Sequence, residues 1–213
     1  MITIKYLIAC TVLSLCLNTK AQKITIGELK LNDSTIYFFC RGTKAKTALI
    51  SEKFNIQDKF SSHVGIGYFD GQKVKIYNVS DEKSKNESAL VIDSLDSFIT
   101  EKTYYFAIYK CNNNYDDLMR MQAACDAFSE KPIAFDFSFT IDNGNNFYCS
   151  EFCATVIMQT NSVKYNYAPS DVILDALTAA YLKRQSLTYY PVDFFQGQNN
   201  CSKIFEAFIP QTD

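Results

Sequence analysis

Residues 60–79 read FSSHVGIGYFDGQKVKIYNV. Two alternating runs, His63–Phe69 and Lys73–Val79, flank Asp70-Gly71, and that dipeptide between two such runs is a strong hairpin signal. A hairpin pairs its strands antiparallel, so the far end of the second run comes beside the beginning of the first. On the second run Val74, Ile76 and Asn78 share one face. Asn78 is the polar interruption of that face, near the end that returns to His63. His63 is the only histidine in the chain, and it stands at the start of a strand that reads as core.

Working outward, Thr35–Cys40 (TIYFFC) reads as a strand and Lys44–Phe54 as a short helix with a basic face, its Lys44 and Lys46 solvated. SDEKSKNES, Ser80 to Ser88, is a charged loop. Ser94–Ile99 predicts a short helix and Tyr104–Tyr109 a buried strand. Tyr115–Phe128 carries Leu118, Met121, Cys125 and Phe128 at helical spacing. Phe135, Phe137 and Phe139 alternate with Asp136 and Ser138, which predicts a strand with an aromatic face. Val172–Lys183 reads as a further helix, followed by an aromatic segment, YYPVDFF, at 189–195. Strands and helices are mixed, with a hairpin among them. That order argues an α+β fold with an antiparallel sheet packed against helices, rather than a doubly wound parallel sheet.

The chain has 213 residues, 14 Tyr and 17 Phe, enough to bury a sizeable core in one domain spanning residues 22–213. A formal net charge of −2 shows no basic surface and argues against nucleic-acid binding. The first 21 residues have Lys5, an apolar run from Tyr6 to Leu17 and a polar stretch ending at Ala21. That is the layout of a signal peptide, and it predicts export to the periplasm or the extracellular side, with no membrane span in the mature chain. Leu7-Ile8-Ala9-Cys10 resembles a lipobox, but lipidation there leaves almost no apolar region before Cys10. Beyond the signal stand Cys40, Cys111, Cys125, Cys149, Cys153 and Cys201, whose disulfide pairing the sequence leaves open. With one His and no CxxC pair there is no zinc pattern, and neither metal nor organic cofactor is expected.

A second stretch, NNFYCSEFC from Asn145 to Cys153, places Cys149 where a turn-rich loop, IDNGNN, becomes an apolar helix. Free backbone N–H groups and the helix dipole at such an end favour a thiolate. A nearby imidazole lowers the thiol pKa further, and His63 is the only one available. Asn78 is placed to accept the Nδ1–H of His63 and orient the ring. Glu151 is a first-turn carboxylate that suits the helix dipole or contacts substrate. Tyr148 is a candidate lining residue or oxyanion donor. Cys153, four residues after Cys149, packs as a small apolar group.

The succession SHVGI, an orienting polar residue on the next strand, KPIAFDFSF and then FYCSEF resembles the YaeF/YiiX permuted papain-like amidases, within the wider NlpC-type cysteine hydrolases. The resemblance runs from about Asp33 to Gln159, with a weaker echo in YYPVDFF. It implies a circularly permuted papain-like fold in which the His strand precedes the Cys helix. It also implies Cys149 as nucleophile, His63 as general base and Asn78 as the His-orienting residue, where the family often carries Glu. Asn32-Asp33 stands for the family's Gly-Asp, and Pro132-Ile133-Ala134-Phe135-Asp136 for its Pro-Tyr-Asp. The activity implied is hydrolysis of an amide bond in a small-molecule, peptide or lipid-like substrate, cell-wall peptides among them. A lipid acyl hydrolase or acyltransferase of the same superfamily and a non-catalytic envelope ligand-binding module are the alternatives.

Overall fold

A computed structural model describes residues 24–81, 87–141 and 144–211. The expected signal segment and part of the loop from Ser80 to Ser88 lie outside the described residues. In chain order the elements are α1 (Ile26–Leu29), β1 (Ile36–Thr43), α2 (Lys46–Phe54), β2 (His63–Phe69), β3 (Val74–Val79), β4 (Leu90–Asp93), α3 (Leu95–Phe98) and β5 (Thr103–Cys111). Then come α4 (Tyr115–Ser129), β6 (Ala134–Phe135), β7 (Asn146–Phe147), α5 (Cys149–Thr160), β8 (Ser170–Ile173), α6 (Ala176–Leu182), β9 (Ser186–Tyr189), a 3₁₀ turn (Phe194–Gly197) and β10 (Cys201–Phe208).

Six strands form one antiparallel sheet in the order β10-β5-β1-β2-β3-β4. The period-two alternation of β1 splits its side chains between two cores. Ile36, Phe38 and Cys40 face the larger cluster with Val64, Ile66 and the buried side of α5, including Phe152 and Val156. Tyr37 and Phe39 face a smaller cluster closed by Leu29 of α1 and by Leu95 and Phe98 of α3. Both faces of the sheet centre are therefore dry, which explains why its strands read as near-continuous apolar runs.

The hairpin forms as expected, with Phe69 opposite Val74. Its turn is held by Asp70, whose Oδ1 accepts from the backbone N–H of Gln72 and Lys73 at 2.9 and 2.7 Å. Gly71 sits at φ 91°, a conformation that favours glycine.

Two expectations are corrected. Phe135, Phe137 and Phe139 do not form an aromatic strand; β6 is only Ala134–Phe135. The Asp136 carboxylate accepts from the N–H of Ser138 at 2.8 Å and of Thr140 at 2.6 Å, which pulls the chain into a turn with Phe139 at φ 53°. Local side-chain hydrogen bonding outweighs the alternating pattern here. The helix expected over Val172–Lys183 begins only at Ala176. Asp175 caps it by accepting from Leu177 and Thr178 N–H, while Val172 pairs with Leu187 in β8–β9.

The C-terminal aromatic segment packs back on the sheet: Phe195 stacks on Phe38 at 4.3 Å between ring centroids. Fully buried Asp193 accepts three backbone N–H groups, from Ile56, Gln57 and Asp58, at 3.0, 2.6 and 2.9 Å. One carboxylate thus fixes the loop that leads from α2 into β2 and delivers His63.

Candidate active site

Cys149 is the first residue of α5, with Tyr148 at the N-cap. The first intrahelical bond runs from Phe152 N–H to Tyr148 C=O, so the N–H groups before Phe152 have no partner in the helix. The helix presses its start against β2, where the Cys153 thiol donates to Val64 C=O at 3.7 Å. Cys149 and His63 line the same cleft of about 760 Å³, together with Arg41, Ser62, Asp81 and Phe139. Among the described residues no hydrogen bond joins the two side chains in this resting state.

His63 is oriented through the sheet. Its Nε2 lies 2.9 Å from Asn78 Oδ1. Ile66 pairs with Tyr77, so one step along the antiparallel ladder Gly65 lies opposite Asn78, and His63 is the diagonal neighbour on the same face. Glycine at 65 leaves that diagonal open: a Cβ there would stand 2.5 Å from Ile76 Cγ2 and 3.2 Å from Asn78 Cβ. Asn78 is fully buried, and its Nδ2 donates to Asp93 Oδ2 at 2.9 Å. A carboxylate only accepts, so this bond turns the amide oxygen toward His63. Nε2 must then carry the ring proton, and Nδ1 is left as the basic nitrogen. The sequence places Asn78 correctly but assigns it the wrong nitrogen: the bond is to Nε2, not Nδ1, because the diagonal register brings the far side of the ring to the amide.

Asp93 was not legible as part of this chain. It ends a short strand in a segment with no motif, and only the β3–β4 pairing of Ile76 with Asp93 puts it beside Asn78. Arg41 was missed for the same reason. It sits directly across from His63 on β1, buried, with Nη1 donating to Phe98 C=O at 2.7 Å and its guanidinium 5.0 Å from the Phe98 ring.

The electrostatics differ from the lowered thiol pKa expected from sequence. Burial is the main cause that pushes the His63 pKa down to about 3, the Arg41 charge adds to it, and the Asn78 bond opposes both. Burial likewise raises the Cys149 thiol above its ordinary value, although the N–H groups of Val64 and Ser150 pull it down. Desolvation outweighs the helix end, and the resting pair is neutral thiol and neutral imidazole.

Tyr148 and Glu151 are both buried. The Tyr148 hydroxyl accepts from Tyr190 N–H at 2.8 Å, and Ser150 Oγ donates to Tyr190 C=O at 2.7 Å. Glu151 lies in the first turn of α5, as expected for a helix-start carboxylate. A second, apolar groove of about 420 Å³ opens on Cys149 and Tyr148, walled by Phe54, Phe139, Leu182 and Leu187.

A six-stranded antiparallel sheet with a cysteine-led helix packed on its histidine strand is a papain-like architecture with the strand coming first in the chain. A family model described as permuted papain-like amidase enzyme, YaeF/YiiX, C92 family, matches residues 43–179. The chain belongs to that family. The fold is also similar to a crystal structure of the metalloprotein YiiX from Escherichia coli O157:H7, at 12% identity and a TM-score of 0.61, covering 82% of this chain and 98% of that one. A search of curated proteins found no match. That neighbour is described as a metalloprotein. Among the described residues of this chain no group of three or more His, Cys, Asp or Glu is placed to hold a metal ion.

Proposed function

We propose that this chain is a cysteine amidase in which Cys149 is the nucleophile, His63 the general base and Asn78 the residue that orients it. The observation that carries this reading is the shared cleft of Cys149 and a His63 whose Nε2 is engaged by Asn78. With the proton held on Nε2, Nδ1 is free to take the Cys149 proton as the sulfur attacks the substrate carbonyl. The backbone N–H of Cys149, free of a helical partner, is offered to the developing oxyanion. The imidazolium then protonates the leaving amine, and water, activated by the same nitrogen, hydrolyses the thioester. A neutral resting pair suits this sequence, because charge separates only as the reaction proceeds.

The apolar groove beside Cys149 supports an apolar acyl group on the carbonyl side of the scissile bond. The same groove favours a second reading, release of an acyl chain from a lipid. Reading residues 1–21 as a signal peptide, we place the reaction outside the cytoplasm; N-terminal sequencing of the protein recovered from the cell envelope or medium tests this.

The deciding experiment is iodoacetamide alkylation of Cys149, resolved by mass spectrometry across pH, in the wild type and in His63→Ala. The expected result is alkylation near pH 6 about tenfold faster in the wild type, since His63 assists removal of the thiol proton. Equal rates in the two proteins would remove the base from the mechanism. Matched amide and ester substrates with acyl chains of increasing length then separate the two readings.

A further inference from the structure

Cys111 ends β5 and Cys201 begins β10, at the sheet edge opposite β4. The two are directly opposed in the antiparallel register. The next pair along is joined by a backbone bond from Asn112 N–H to Asn200 C=O at 2.7 Å. Hydrogen-bonded and non-hydrogen-bonded pairs alternate along such a ladder, so Cys111 and Cys201 occupy a non-hydrogen-bonded pair, the kind whose Cα atoms approach to about 4.5 Å. That separation lies within the range a disulfide spans. Both side chains point to the same face, with their sulfurs in contact at 2.7 Å. The other described cysteines are buried elsewhere: the thiol of Cys125 meets Met121 and that of Cys153 meets Val64 C=O.

We infer that Cys111 and Cys201 form a disulfide that staples the C-terminal strand to the sheet. Cys201 is the more exposed of the two, and it opens the exchange. Its thiolate attacks a sulfur of a small-molecule disulfide oxidant such as glutathione disulfide, and one thiol leaves. The Cys111 thiolate then attacks Cys201 Sγ in the mixed disulfide and expels the second thiol. Two protein thiols are oxidised, one oxidant disulfide is reduced, and the two protons lost by the cysteines end on the departing thiolates, which leave as two thiols. β10 needs such a staple. It is an edge strand, half exposed along most of its length, and it pairs only with β5. The closed loop spans 90 positions and contains α4 and α5, so the bond also restricts the unfolded chain around the cleft-bearing helix. The inference does not depend on the amidase reading, since neither cysteine lines the cleft.

The test uses the purified full chain equilibrated with oxidised glutathione, quenched with acid, alkylated under denaturing conditions and digested with trypsin without reductant. The expected product is peptide 111–120 joined to peptide 185–203, lighter than their sum by two hydrogens, from the monomeric protein; neither peptide holds another cysteine. Recovery of both peptides alkylated, of Cys111 bonded to a different cysteine, or of the link only from covalent dimers would overturn the inference. Thermal melting supplies a second readout. Reductant is expected to lower the wild-type Tm by on the order of 10 °C and to leave Cys201→Ser unchanged. A linked wild type that melts identically with and without reductant would overturn the stapling role.

Discussion

Asp93 Oδ2 accepts a 2.9 Å hydrogen bond from Asn78 Nδ2, and through it a carboxylate two strands away sets which imidazole nitrogen of His63 holds the proton. Removing the carboxylate leaves the Asn78 NH₂ with only a long 3.5 Å bond to Val91 C=O, which holds it less firmly away from His63. Asp93→Ala is therefore expected to lower kcat about tenfold with little change in KM, and Asn78→Ala to lower it further. The two losses should be non-additive in the double variant, because both act on the same nitrogen. Steady-state kinetics on the four proteins checks this; additive losses would separate Asp93 from the His63 chain.

In the proposed mechanism the depressed His63 pKa fixes the acid limb of activity. The base works only when unprotonated, and it stays so down to about pH 3. kcat/KM is expected to hold from neutrality to about pH 4 for as long as the fold persists. An acid limb centred near the ordinary histidine value would contradict the buried environment described for the ring.

The same shift predicts a stability profile. The unfolded chain takes a proton on His63 near pH 6.5, whereas the folded chain resists it until about pH 3. Stability is fully present above 6.5 and is lost as the pH falls toward 3. Between pH 7 and pH 4 the wild type should lose about 2–3 kcal/mol more than His63→Gln. Urea unfolding of both proteins at the two pH values measures the difference, and parallel profiles would refute it.

Gly65→Ala places a methyl group against Ile76 and Asn78. The expected cost is about 1–3 kcal/mol, with a fall in kcat greater than for a core substitution remote from the cleft. Calorimetry and kinetics on the one variant read both effects.

Asp193→Ala strands three backbone donors of the segment that leads into β2. A loss of about 3 kcal/mol is expected in denaturant unfolding. A change below 1 kcal/mol would mean that water replaces the carboxylate without penalty.

The hairpin and the long helix α4 were legible because their apolar spacing agrees with their local turn and cap residues. Asn114, for example, accepts from Asp117 N–H at the start of α4. The strands β4 and β10 were not, since each is short or largely exposed and owes its existence to the neighbour it pairs with. At the site, sequence reading picked out Cys149, His63 and Asn78. It could not find Asp93 or Arg41, which reach His63 only through strand register. It also overestimated the helix end at Cys149, because a sequence shows which residue begins a helix but not how dry that end will be.

Tyr148 and Ser150, on either side of Cys149, both grip the main chain of Tyr190, one by its N–H and the other by its C=O. The Cys149 turn and the groove wall that continues through Leu187 and Tyr189 are thus one mechanical piece, joined on the wall side through the peptide groups of Tyr190 rather than through the wall's side chains. Wall side chains can then be exchanged without moving the sulfur. On the amidase reading, selectivity and reactivity become separable traits, and the 187–192 segment is the place to retune one while leaving the other alone.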